Sequence, residues 1–431
     1  MKKTKLFVFC IDALCSSDLD FMRTLPHFAE IFKDGAVINH VEPSYPSMTY
    51  PGHTTILTGV NPARHGIYHN EHIERGKLNQ PWFCMKSDIK VPTLMDVAKE
   101  AGLTTCSINW PVSGGANIDY NMPMIVPVYY KGYEPQKYLR GTASDNVMDE
   151  YFWKFGRYHM GVDRSLDLLA MALAPEIIKD HGQPDVMLVK MCDLDGARHM
   201  NGVYSEAAKE QLRKHNEELG VLLESIRRYG DYDNTNFVVL GDHGHSTVED
   251  VLKMNVLLKK NGFLQVNPDG TIKSFDALCH STGFSAFIEL RDPNDKELYK
   301  RVYDFLLSLK DDERIKLDYV FTAKEALEQY GLSGPFEFVI ESSRGVTFSE
   351  ALLGDELFGA TVRGDHKIGE GSHGGLPFKT ETTTFIAKGP SVKPGALIER
   401  RQMIDEAPTM ARMLGLEMKD VEGKVITEIL K

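Results

Sequence analysis

Short β-rich runs alternate along the chain with longer stretches in which apolar residues recur every three or four positions. Leu6 to Ile11, Thr104 to Ile108, Val186 to Met191, Phe237 to Leu240 and Thr384 to Ala387 have the length and the branched or aromatic content of buried strands. Most of them run into polar or glycine-containing turns. Val91 to Ala101, Ser205 to Arg228 and Asp405 to Leu414 carry the helical period instead. Strand, loop, helix and strand in repetition predict an α/β fold, with a doubly wound, mainly parallel central sheet flanked by helices. No internal repeat is visible.

Between about residues 262 and 345 the rhythm changes. Phe284 to Leu290 and Phe336 to Ile340 look like strands, and Asp295 to Leu309 like an amphipathic helix. These are expected to form a small inserted α+β cap, leaving 1–261 and 346–431 as the core. The stretch from Tyr129 to His181, rich in aromatics and helix formers, is expected to be a packed helical layer, with a second lid over the sheet as the alternative.

With 431 residues, 42% apolar and 26% charged, the chain can bury one large domain plus an insertion. Its net charge of -12 excludes a general binder of duplex nucleic acid, which needs a lysine and arginine excess to displace counterions. Phosphate chemistry is not excluded, because bound metal ions can outweigh the global charge locally. The start, Met1-Lys2-Lys3-Thr4-Lys5 followed by an apolar run, imitates a secretory signal. Asp12 interrupts that run and no small-residue cleavage pattern follows, so the run is expected to be the first strand. No stretch approaches the roughly 18 apolar residues that span a bilayer, and no membrane partner is expected. The six cysteines show neither metal spacing nor a dense disulfide framework, which predicts reduced thiols in a cytoplasmic protein. The sequence is silent on oligomeric state.

The candidate chemistry sits where strands would end, the edge at which open parallel sheets carry their active sites. Asp12 follows the first strand, though an acid there can equally cap a helix. Thr49 lies on the proline-bracketed bend Pro43-Ser44-Tyr45-Pro46-Ser47-Met48-Thr49-Tyr50-Pro51, leading into a helix whose free amides could receive an anion. A proline-rich loop with a threonine cap is the plainer alternative. Asp195 and His199 stand four residues apart, a spacing that aims both at one metal if the segment is helical. Asp242 and His243 adjoin between glycines at a strand end, and His373 sits in a loop with four glycines. Each has a bland reading alone; together and in this order they make a far stronger case. Zinc-like ions accept imidazole nitrogen and carboxylate oxygen, and two of them about 3.5–4 Å apart can clamp an in-line displacement at phosphorus. Threonine's hydroxyl is inert unless something removes its proton, so a lone Thr makes sense beside such a metal.

The order Asp, Thr turn, Asp-x-x-x-His, Asp-His-Gly, Gly-x-His-Gly resembles the alkaline phosphatase superfamily, and within it the type I phosphodiesterase and nucleotide pyrophosphatase family. The likeness runs from Asp12 to Ala407-Pro408-Thr409. It implies two Zn2+ ions, with Mn2+ as a possible substitute: Asp12, Asp242, His243 and Thr49 on one, and Asp195, His199 and His373 on the other. It also implies that Thr49 is a nucleophile that becomes transiently phosphorylated. The segment Thr58 to Ile67 is similar too, and Asn70 falls where the family holds an asparagine against a phosphoryl oxygen, together with the Tyr50 amide. His53, His65, His69 and His245 are expected beside the metals rather than on them.

Two positions depart from the family. Its nucleotide pyrophosphatases often stack a base between the aromatic after the nucleophile and a second aromatic five residues before the Asp-x-x-x-His aspartate. Tyr50 fits the first, but the second is Lys190, expected either to pair with a substrate carboxylate or phosphate or to be a solvated strand-end lysine. Gly52 stands where many relatives have Asn. A sulfatase is argued against by Met48, which replaces the arginine of Cys/Ser-x-Pro-x-Arg. His280 and Arg344 are candidates for substrate contact from the cap, with simple loop polarity preferred. The expectation is a metal-dependent hydrolase of phosphodiester or phosphoanhydride bonds, acting on a small phosphorylated substrate such as a nucleotide. The alternatives are a phosphonoacetate-type carbon-phosphorus hydrolase or a phosphomonoesterase on the same centre. A non-catalytic metal-binding protein is argued against by the complete ligand set.

Overall fold

In the computed structural model of the chain, which describes residues 4–125, 135–160, 165–312, 314–315 and 317–431, eight strands form the central sheet. In chain order they are β1 (Lys5–Ile11), β2 (Ala36–Glu42), β3 (Thr105–Ile108), β4 (Tyr120–Met122), β5 (Val186–Met191), β6 (Thr235–Leu240), β7 (Thr383–Lys388) and β8 (Leu397–Gln402). Their order across the sheet is β8-β2-β7-β6-β1-β5-β3-β4. Neighbours run parallel except at β7, which is antiparallel to both β2 and β6. The expected mainly parallel α/β sheet is therefore present, with one reversed strand.

Helices cover both faces, and β1 shows why. Its side chains alternate, with Leu6, Val8 and Cys10 packing into one hydrophobic layer and Phe7, Phe9 and Ile11 into the other. Ile56 and Leu57 of helix α1 (Thr49–Thr58) join the first layer. The second takes helices α2 (Leu166–His181) and α4 (Glu206–Tyr229); the short α3 (Asp193–Asn201) lies between these two in the chain. In α4, Leu212, Leu219, Leu222, Leu223 and Ile226 recur at helical spacing and are buried, each side chain stabilising the layer by about 1.5–3 kcal/mol.

Within the stretch from Tyr129 to His181, Tyr151 and Phe155 pack against Leu169, Leu173 and Ile177 as the expected helical layer. Its parts at 129–134 and 161–164 lie outside the described residues. The inserted region contains a four-stranded antiparallel sheet in the order Ala277–Ser281, Ser285–Leu290, Phe338–Ser342, Leu317–Thr322. Helix Lys296–Lys310 buries Leu298, Val302, Leu306 and Leu309 in the same cluster. That cluster also draws in Leu252, Met254, Leu257 and Leu258 from before 262, and Val346 and Phe348 from after 345. Among the described residues, no helix is long and apolar enough to cross a membrane.

Candidate metal centre

The centre is assembled at the carboxyl ends of three adjacent parallel strands, β6, β1 and β5, where Cys10 is in register with both Leu240 and Lys190. One residue past β1, the Asp12 amide donates to the Met191 carbonyl at 2.9 Å. The chain then turns through Ala13 in the left-handed region, φ 62°. Two bonds hold that turn: the Ala13 amide donates to Asp242 Oδ1 at 3.0 Å, and Arg198 donates to the Ala13 carbonyl at 2.6 Å. Arg198 is buried and grips Asp18 with two further bonds of 2.7 and 2.8 Å. No motif marks this arginine in the sequence; only its place on α3, facing the β1 turn, reveals its task.

Asp12, Asp242 and His243 form the first group, their ligand atoms all within 4.8 Å of one another. Thr49 opens α1 beside them, with Oγ1 3.1 Å from His243 Nε2 and the helix's free amide end at the same spot. His53, one turn on, ties the two together, its Nδ1 lying 2.8 Å from the Thr49 carbonyl and 3.1 Å from Asp242 Oδ2. The helix can come this close because residue 52 is glycine: a Cβ there would sit 2.7 Å from the Asp242 carbonyl oxygen.

Asp195, His199, His245 and His373 form the second group, also within 4.8 Å. Asp195 and His199 do lie on a helix, and His199 Nε2 is 3.2 Å from Asp195 Oδ1. The two-residue strands Ser246–Thr247 and Gly371–Ser372 pair antiparallel, which sets the loops of His245 and His373 side by side. His373 needs Gly374 after it, since φ there is +86° and a Cβ would collide with the Thr282 carbonyl at 1.7 Å. The two groups meet where the rings of His243 and His373 stack at 4.0 Å. All seven candidate ligands, Thr49 included, are thus brought together, and His245 joins them.

The side chains suit divalent cations. Asp12 Oδ1, Asp242 Oδ2 and His199 Nε2 are buried without a hydrogen-bond partner, although charged neighbours lie within ion-pair distance. Nearness without alignment is what atoms aimed at a shared ion show, and unpaired buried polar atoms are otherwise costly. His199 Nδ1 lies 2.8 Å from the Gly371 carbonyl and His373 Nδ1 3.2 Å from that of Ser47, which places their protons there and frees each Nε2 as a ligand. Burial raises the Asp12 carboxyl, with Asp242 adding to the shift. Burial also works against ionisation of Asp242 and Asp195, but His243 and His53 around the one, and His199 and His245 around the other, outweigh it and hold both low. His243 is raised to about 9, since Asp242 and Asp12 overcome its burial. Burial together with His243 and His245 holds His373 well below its ordinary value, in the neutral form that binds metals.

Several expected substrate contacts are placed differently. Lys190 is neither solvated nor free for substrate: it is fully buried, with Nζ 2.6 Å from Asp12 Oδ2. Burial opposes its charge, but Asp12 and Cys192 outweigh that and hold it protonated. The Tyr50 ring, expected to offer a face to a base, is completely buried among Ile67, Phe83, Val112 and Met124, with Trp82 edge-on at 5.2 Å. Its amide donates to Asn70 Oδ1 at 3.0 Å, leaving the Asn70 NH2 without a protein partner among the described residues. His280 is buried against Glu289 at 2.9 Å within the cap sheet, and the exposed Arg344 lines a cleft with Ser246, Glu249 and Lys379. His65 bonds Thr55 and His69 the Ser281 carbonyl, so both serve packing around the centre.

A third group, Asp167, His215 and Glu218, lies behind α3. The Asp167 carboxylate accepts the amides of Cys192 at 2.6 Å and Asp193 at 3.1 Å, and so caps the helix that carries Asp195 and His199. His215 Nδ1 is 2.8 Å from Glu218; burial opposes the ring's charge, but Glu218 and Asp167 outweigh it and raise the imidazole above its ordinary value.

A family model described as type I phosphodiesterase / nucleotide pyrophosphatase matches residues 6–370. The chain belongs to this family. It is therefore a hydrolase of phosphoric ester or anhydride bonds, of a metal-dependent kind. Family member 7 of the human ectonucleotide pyrophosphatase/phosphodiesterases (Homo sapiens) is 23% identical over 414 residues, covering 93% of this chain and 78% of the relative. A venom phosphodiesterase of Naja atra is 24% identical over 253 residues, or 57% of this chain and 27% of the relative. The fold matches murine ectonucleotide pyrophosphatase/phosphodiesterase 5 with a TM-score of 0.67 at 17% identity, covering 99% of this chain and 100% of the other. An inactive form of that murine protein in complex with AMP matches with a TM-score of 0.68 at 17% identity, covering both chains in full.

Proposed function

We propose that this family member cleaves small phosphodiesters or phosphoanhydrides, nucleotides among them, by two successive displacements at phosphorus, with Thr49 as nucleophile and zinc, replaceable by manganese, as the metal. The observation that carries the reading is the meeting of two ligand groups beside one hydroxyl: Thr49 Oγ1 is 3.1 Å from His243 Nε2, and the His243 ring stacks on His373 of the second group. Asp12, Asp242 and His243 with Thr49 would hold one ion and Asp195, His199 and His373 the other; bound there, the ions would acidify the threonine hydroxyl and neutralise substrate oxygens.

Thr49 Oγ forms its bond to phosphorus as the bond to the leaving oxygen breaks, and water then cleaves the phosphothreonine. The NH2 of Asn70, whose Oδ1 is held by the Tyr50 amide at the start of α1, would donate to a phosphoryl oxygen as charge builds on it. The AMP complex of the murine relative supports a nucleotide among the substrates. A carbon-phosphorus hydrolase would need a receptor for the substrate carboxylate, and Lys190, committed to Asp12, gives that reading no support. A cytoplasmic location is part of the proposal; that all six cysteines are unpaired supports it.

The zinc-loaded protein is expected to hydrolyse bis(p-nitrophenyl) phosphate and nucleotide diesters, and a strong chelator to stop it. Thr49→Ala should fold, keep its metals and lose turnover, and acid-quenched wild type should carry phosphate on Thr49. Turnover by Thr49→Ala, or label on another residue, would sink the nucleophile assignment.

A further inference from the structure

His245 lies inside the second ligand group, its Nε2 2.8 Å from Asp195 Oδ1, nearer than His199 at 3.2 Å or His373 at 3.9 Å. On distance alone it would be a fourth ligand and would close a tetrahedral shell. The other ring nitrogen decides otherwise. In His199 and His373 the Nδ1 proton has a main-chain carbonyl to receive it, and Nε2 is free to ligate. His245 Nδ1 is buried with no hydrogen-bond partner. A proton there would be an orphaned buried N–H, which native interiors rarely tolerate, whereas a bare ring nitrogen is the lesser cost. The proton therefore belongs on Nε2, and an Nε2–H cannot bind a cation.

Resting on the two-ion reading above, we infer that His245 is a positioning residue: it donates to Asp195 Oδ1, fixing the carboxylate that binds the second ion while leaving that ion only three protein ligands. Gly371 makes room for it, since a Cβ there would lie 3.3 Å from His245 Nδ1. The consequence is a coordination position kept open for a substrate oxygen, which distinguishes a catalytic site from a closed structural one.

The test compares wild type, His245→Gln and His245→Leu, each stripped of metal, by calorimetric zinc titration against a competing chelator and by the visible spectrum of the cobalt(II)-loaded form. Circular dichroism and melting establish that each is folded. Wild type should take up two ions. His245→Leu should bind one of the two about 10- to 100-fold more weakly, with the other ion and the cobalt bands unchanged, and His245→Gln, which keeps an N–H to donate, should recover most of the affinity. Equal zinc affinity in all three, or a cobalt spectrum that loses a nitrogen ligand in His245→Leu, overturns the inference and leaves the two-ion centre standing. Fewer than two ions in wild type overturns the centre itself, and this inference with it.

Discussion

The Lys190 ammonium lies 2.6 Å from Asp12 Oδ2, both side chains shut away from solvent, across a parallel pairing that sets Cys10 opposite Lys190. One carboxylate oxygen is thus engaged by a fixed cation of the fold, and Oδ1 is left for an exchangeable one. Removing one partner of a buried pair costs about 3–5 kcal/mol, because the other charge is stranded. Lys190→Met should therefore destabilise the metal-free protein by about that much, and the metal-loaded protein by clearly less, since bound cations would compensate Asp12. Melting curves of both proteins with and without chelator measure this. An equal loss in the two states would mean that the pair is only structural.

Asn70→Ala removes the one side-chain donor expected at the phosphoryl oxygens. Loss of a single such donor typically lowers kcat by roughly 10²–10³-fold. Steady-state kinetics should show that fall with KM little changed. A rise in KM alone would make Asn70 a ground-state binding group instead.

Arg198→Met takes a buried guanidinium away from Asp18 and the Ala13 carbonyl, leaving them only their bonds from Cys15. Urea unfolding should show a loss of about 3–5 kcal/mol. Because the Ala13 turn carries Asp12, zinc affinity should fall as well. Full zinc affinity in a destabilised variant would separate the turn from the metal centre.

Much of the centre is legible in the sequence because its residues sit where strands stop. Asp12 and Asp242 each follow a run of branched and aromatic residues, and the spacing of Asp195 and His199 is that of one helical turn. What lies hidden is pairing between distant segments. Lys190 is the one charged residue of a hydrophobic strand, and nothing local says whether it points to water or to Asp12; the register of β1 with β5 decides it. Asp167 caps α3 from another helix, so no N-cap pattern precedes Asp193. The edge strand β8 carries Glu399, Arg400 and Arg401 with no buried face, and so lacks the alternation that marks strands. Tyr50 follows the threonine as the family pattern asks, but only packing shows its ring enclosed.

Glu341 joins three segments, accepting from Tyr45 Oη at 3.1 Å ahead of Thr49, from Ser285 in the cap sheet, and from the Leu376 amide at 3.0 Å beyond His373. Burial raises it to about 7, with Lys379 pulling the other way. A carboxyl raised by folding stabilises the native state below its unfolded value, near 4.5, and that contribution is lost as pH climbs through the folded value, near 7. Wild type should lose up to about 3 kcal/mol relative to Glu341→Gln, which stays neutral, between those limits. Paired chemical denaturation of the metal-loaded proteins from pH 4.5 to 8 measures the gap. A constant gap would show that Glu341 does not titrate in this window.

The central strand β1 precedes both of its neighbours, β5 and β6, by a long stretch of chain, and His373 follows the whole cap sheet. A nascent chain therefore cannot close the centre until everything from β1 to His373 has left the ribosome. A cation cannot serve as an early template, because Asp12 meets Asp242 only when β6 docks against β1. Metal capture is accordingly a late event in the maturation of this protein, since before it the ligand residues lie on segments that have not yet met.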